Sequence, residues 1–279
     1  MTTNCFPRLV RLLALIALTC ALTAPLRAEH EGKVQILILG DSTAEGSIPR
    51  NLVKEGPHLE DVIRQLLAAE GDLPPCNVIN VALSGEYIQR LVESGRYDKV
   101  AAKLPGLDYI FIRYGLNDNA RRQDFTNNFP KDFHALLARL RKDHPSAMLI
   151  PMTVIPFSDP ATSERINNLI RQVAEKEKLK LFDIYPRYAA ELEKGPNMLN
   201  YRRFPLAKIP EKLQEFAKPF ASGTPPTVVV MDNRLDAHFG HLPGWFGDRH
   251  PNLAGYHVIG DETAKFLAPL LRERKAKGK

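Results

Sequence analysis

Cysteine is scarce in this chain: there are three in 279 residues, and two of them, Cys5 and Cys20, sit in an N-terminal leader. Only Cys76 remains after it, so no internal disulfide can form and stability must come from a packed core. Long apolar runs are missing too. Beyond the leader nothing approaches the roughly 20 residues a membrane helix needs, which argues against stable membrane insertion of the mature chain. No HExxH zinc pattern, no GxSxG elbow, no internal repeat and no low-complexity segment occurs. A marked excess of charge is absent as well. The formal +6 loses Arg8, Arg11 and Arg27 with the first 28 residues, which hold no acid, so 35 bases against 32 acids leave +3. The tail from Leu271 to Lys279 has five bases and one acid, or +4, and the remaining body is therefore about −1. Such a body excludes a nucleic-acid binder that works through a broadly basic surface.

The leader has a clear layout. Arg8 and Arg11 precede an apolar run over 12–26 that ends near the small Ala28, as in a secretory signal peptide. We therefore expect a signal peptide over 1–28, a mature chain over 29–279, and a secreted or periplasmic location. Cys20 follows Ala17-Leu18-Thr19, a poor signal for lipid attachment. Cys76, just before an apolar run, reads as a packed thiol.

After the leader, apolar runs of strand length at 34–39, 77–83, 108–114, 147–155 and 179–184 alternate with helical patterns near 58–70, 86–94, 129–143, 161–178 and 252–272. That alternation predicts an α/β fold, a five-stranded parallel sheet between two layers of helices. Residues 193–247 break the rhythm. This stretch is rich in proline, glycine and aromatics, including Phe204, Phe239 and Trp245, and reads as an ordered insertion in a single domain.

Several groups fall at strand ends, where open parallel sheets gather their functional residues. Gly40-Asp41-Ser42 follows the first strand, Ser84-Gly85 the second, and Gly115-Leu116-Asn117-Asp118 the third, while Asp248-Arg249-His250 precedes the last helix. Each has a plainer reading: Asp41 and Ser42 suit a helix cap, Gly85 and Gly115 suit turns, and Asn252 suits an N-cap. Asp118 suits a loop brace.

Taken in order, the four motifs resemble the blocks of the SGNH (GDSL-like) hydrolase family. The resemblance implies strand order 2-1-3-4-5 and a serine esterase with Ser42 as nucleophile and His250 as base. It also implies an oxyanion hole made by the Ser42 and Gly85 N–H groups and the Asn117 amide, with no cofactor and no metal. A serine hydroxyl needs such a base, and the base needs a carboxylate behind it. Here the sequence departs from the family. The usual acid position, three before the histidine, is Gly247, so Asp248 is the expected acid, with Asp232, Asp236 or a Ser/His dyad as alternatives.

The expected substrate is a small-molecule or polysaccharide ester, with O-acetyl groups on carbohydrate leading. Rival readings are a lipid esterase or lysophospholipase, a non-catalytic carbohydrate-binding protein on the same scaffold, and a metal-dependent hydrolase using Asp236, His238 and His241. The last lacks a recognised zinc spacing.

Overall fold

The computed structural model describes residues 32–195 and 198–278, so the expected signal peptide lies outside the described residues. Strand β1 (Val34–Gly40) is buried along its whole length, as a continuous apolar run covered on both faces must be. It lies between β2 (Cys76–Asn80) and β3 (Tyr109–Arg113), and β4 (Met148–Pro151) flanks β3, in the all-parallel order β2-β1-β3-β4. The register pairs Leu37 with Ile79 and Ile38 with Phe111.

The fold is the α/β sandwich that the alternation predicts, with one correction. The fifth run, 179–184, runs parallel to β4 but pairs through a single bridge, Met152 with Phe182. Just beyond that bridge, Asp183 accepts a hydrogen bond from the Thr153 hydroxyl at 2.8 Å and pairs with Arg171 at 3.1 Å. Side-chain partners replace the ladder there, and the strand ends before it is established.

Alternate side chains of the strands feed two cores. Ile36, Ile38, Phe111 and Ile150 face helices α2 (Leu59–Ala69) and α8 (Leu253–Ala276). Leu37, Leu39, Ile110 and Ile112 face α5 (Phe125–Asp143) and α6 (Pro160–Lys176). Three short helices sit near the strand ends: α1 (Ser42–Glu45), α3 (Ile88–Glu93) and α4 (Leu116–Arg121). Helix α5 starts four residues ahead of the predicted position, because Phe125 stacks on Phe129 at 4.9 Å and carries the apolar stripe back past Pro130. Helix α7 (Tyr185–Glu193), not anticipated, buries Tyr188.

Within the stretch read as an insertion, β5 (Arg202–Pro205), β6 (Ala221–Ser222) and β7 (Thr227–Val230) form an antiparallel sheet in the order β5-β7-β6. Phe204, Phe239 and Trp245 build a small core of their own with Val228, Val230 and Leu235, while Phe216 is exposed. Cys76 opens β2 half-buried and unpaired, and burial pushes its thiol up to about 11, so it is a packed group and not a thiolate.

Candidate active site

Ser42 stands where β1 gives way to α1. Asp41 caps that turn, accepting hydrogen bonds from the Thr43 N–H at 2.9 Å and the Thr43 hydroxyl at 2.6 Å. Two side chains hold the turn from outside: Asn80 donates to the Ala44 carbonyl at 2.9 Å, and Tyr256 of α8 donates its hydroxyl to the Ser42 carbonyl at 3.1 Å.

The histidine arrives from the other end of the chain. His250 Nε2 lies 2.9 Å from Ser42 Oγ, and Nδ1 lies 2.6 Å from Asp248 Oδ1. An ionised carboxylate can only accept, so Nδ1 carries the proton and Nε2 is free to accept the serine hydroxyl. The ring is wedged between Tyr201, stacked at 5.7 Å, and Phe157, edge-on at 4.8 Å. Burial works to raise the Asp248 carboxyl. The hydrogen bonds from His250 and the charges of His250 and Arg203 outweigh it and hold the group below the usual carboxylate range. Arg203 Nε lies 2.7 Å from Asp248 Oδ2.

The other two candidate acids are elsewhere. Asp232 is forked by Arg234, whose Nε lies at 2.8 Å. Asp236 receives two hydrogen bonds from Arg202, at 2.9 and 2.6 Å, and one from the Trp245 indole N–H at 2.8 Å. Asp236 is thus engaged, His238 lies edge-on to Phe216 at 4.9 Å, and His238 and His241 are both exposed. Among the described residues no group of three His, Cys, Asp or Glu is arranged to hold a metal.

Gly85 follows Ser84, which lines the cavity shared by Ser42 and His250, and Asn117 is tied to the same loop. Gly85 has φ 73°, which favours glycine, and its turn precedes α3. Asn117 donates one amide hydrogen to the Glu86 carbonyl at 3.1 Å, which leaves the second free. Gly115 needs its glycine twice over: φ is 140°, and a Cβ would come within 2.6 Å of Ile166. Asp118 ties the two loops together, accepting from the Ile88 N–H at 3.0 Å and the Gly115 N–H at 2.9 Å. Burial, aided by the nearby Asp41 charge, pushes its carboxyl up to about 7.

Between Ser42 and His250 lies a cavity of about 70 Å³, also lined by Ile48, Pro49, Tyr201 and Tyr256. A larger one, about 240 Å³, lies by Arg202, Met231 and Asn252 and contains no nucleophile next to a base. Sequence reasoning missed Tyr201, Arg203 and Tyr256. Their only signal was alternation in β5 and a tyrosine one turn into the last helix.

A family model, GDSL-like Lipase/Acylhydrolase family, matches residues 38–258. No curated protein matches the chain. Among solved structures, the acetylxylan esterase Axe2 from Geobacillus stearothermophilus is 16% identical, with a TM-score of 0.54 over 84% of this chain and 94% of that one. A putative GDSL-like lipase from Parabacteroides merdae is 15% identical, with a TM-score of 0.52 over 83% and 94%. The hydrolase LAE5 from the metagenome of Lake Arreo, Spain, is 19% identical, with a TM-score of 0.52 over 85% and 94%. At these identities the likeness speaks for the fold, and the family match, which spans most of the chain, for the class. With a serine hydroxyl on a histidine at one strand end, the chain belongs to the GDSL-like lipase/acylhydrolase family and is a serine hydrolase of ester bonds.

Proposed function

We propose that the protein is an exported esterase that removes short acyl groups, O-acetyl above all, from carbohydrate alcohols through an acyl-Ser42 intermediate. His250 takes the Ser42 proton as Oγ attacks the ester carbonyl, and Asp248 holds the imidazolium that results. The oxyanion is received by the Ser42 and Gly85 N–H groups and the spare Asn117 amide hydrogen. The alcohol leaves with the proton from His250, and water then enters by the same route to free the acid. No cofactor has a part in this scheme.

The observation that carries the acyl preference is the size of the cavity at Ser42. A water molecule needs roughly 10–15 Å³. About 70 Å³ therefore accommodates a few heavy atoms, on the scale of an acetyl ester and not a fatty chain. Two of the solved structures of similar fold are described as acetylxylan esterases, which agrees with this reading. Export rests on the leader, and among the described residues no helix is long and apolar enough to cross a membrane.

Acetyl, octanoyl and longer p-nitrophenyl esters test the acyl preference. Turnover should fall steeply beyond short chains, and a preference for long chains would overturn the proposal in favour of a lipid esterase. A serine-directed phosphonate should label Ser42, and Ser42→Ala should abolish turnover in a folded protein.

A further inference from the structure

Arginine is distributed unevenly with respect to its partners. Every described arginine has a carboxylate within 4 Å except five: Arg90, Arg113, Arg121, Arg165 and Arg249. All five are at the reactive end of the molecule. Arg121 and Arg90 both donate to the Gly85 carbonyl, at 2.7 and 3.3 Å. Arg165 donates to Asn119 at 2.6 Å, two residues from Asn117. Arg249 precedes His250 and donates to the Ser158 carbonyl at 2.7 Å, beside the Phe157 that packs on the His250 ring. Arg113, paired with Gly40 at the end of β3, is buried.

The four outer guanidiniums are exposed. Carboxylates on the neighbouring loops already have partners. Glu86 is held by Arg96 at 2.9 Å and by the Tyr114 hydroxyl at 2.8 Å, Glu45 accepts the Ser84 N–H at 2.7 Å, and Asp118 and Asp248 serve as described. Two like charges that share one carbonyl oxygen repel each other, and an anion between them relieves that repulsion. A body of about −1 overall makes this concentration local. The arginine fork matches a carboxylate in two hydrogen bonds. Cations on both the Gly85 side and the His250 side suit a chain that carries its charges along its length.

We propose that the ester cleaved here is borne by an acidic saccharide, an acylated chain of uronic-acid units whose carboxylates lie against Arg90 and Arg121 on one side of Ser42 and Arg249 on the other. This rests on the carbohydrate-esterase reading above.

The test compares kcat/KM for acetylated oligogalacturonate and for an acetylated neutral xylo-oligosaccharide of equal length. The acidic substrate should be preferred about tenfold at low ionic strength, and the preference should shrink in about 0.5 M NaCl. In the doubly substituted Arg90→Gln, Arg121→Gln protein the ratio should fall towards one. If that protein fails to fold, Arg249→Gln is read by the same ratio and should lower it. Equal rates on the two sugars, or a ratio untouched in a folded variant, would overturn the proposal and leave the carbohydrate reading standing. Cleavage of neither sugar, with rapid cleavage of acidic lysophospholipid, would overturn both.

Discussion

Asp248 binds His250 twice, accepting the backbone N–H at 3.0 Å and the ring Nδ1–H at 2.6 Å with the same oxygen, Oδ1. A spacing of two residues, one short of the family's usual three, is thus accommodated by a tight turn in which the acid folds over its own histidine. The second oxygen is then open to Arg203, 2.7 Å away on β5.

If Asp248 is the acid of the triad, Asp248→Ala should lower kcat by about 10²- to 10⁴-fold with little change in melting temperature. Asp236→Ala should show the opposite pattern. It removes a partner of the buried Arg202 and of Trp245, and should cost about 2–4 kcal/mol in stability with a smaller effect on kcat. Steady-state kinetics beside thermal melts separate the two, and a larger kcat loss in the Asp236 variant would move the acid into the insertion.

Asn117→Ala should cost about 100- to 1,000-fold in kcat, with KM nearly unchanged, because the second amide hydrogen is needed only when the oxyanion forms. A loss under tenfold would leave Asn117 as no more than a brace for the Glu86 carbonyl.

Asp118 has a pH signature. Its folded value of about 7 lies above the ordinary 3.8, so between those limits the native state keeps a proton that the unfolded chain has shed. Stability should therefore fall as pH rises through that window, by at most about 4 kcal/mol from this group. Asp118→Asn should remove that slope. Urea midpoints measured for both proteins from pH 4 to 8 check it, and parallel curves would show that the carboxyl does not titrate there.

Arg113 is fully buried, and none of its guanidinium nitrogens has a hydrogen-bond partner. Burial disfavours its charge, and the charge of Asp41 is the largest influence opposing that. Arg113→Met should raise stability by about 1–3 kcal/mol, since an apolar side chain suits the surrounding Ile38, Phe111 and Met152 better. A fall in kcat in the same variant would mean that the cation is kept for its field at Ser42. A destabilised variant would mean that Arg113 is compensated more fully than its hydrogen bonds suggest.

The layers and the order of the sheet were legible because they depend on local pattern. Short apolar runs such as VQILIL, alternating with helical stripes, suit strands covered on both faces, and both patterns repeat along one stretch of chain. The fifth strand was misread because 179–184 has the right apolar content, while the Thr153 and Arg171 side chains that end its ladder come from other segments. Ser42, Gly85, Asn117 and His250 were legible as candidates for the same reason: each follows a strand or precedes a helix in a short motif.

Tertiary structure alone decided the rest. The sequence puts Asp248 first by its nearness to His250, but it leaves Asp232 and Asp236 as alternatives. What distinguishes them is the company each carboxylate keeps: Arg202 and Trp245 hold Asp236, whereas Asp248 meets the His250 ring. Tyr201, Arg203 and Tyr256 reach the site only because the small antiparallel sheet and the last helix converge on it, and the unpaired arginines can be recognised only once every other pairing is known. Periodicity along the chain records which face of an element is buried. It holds no record of which distant side chain will meet it, because that contact forms only when the elements pack.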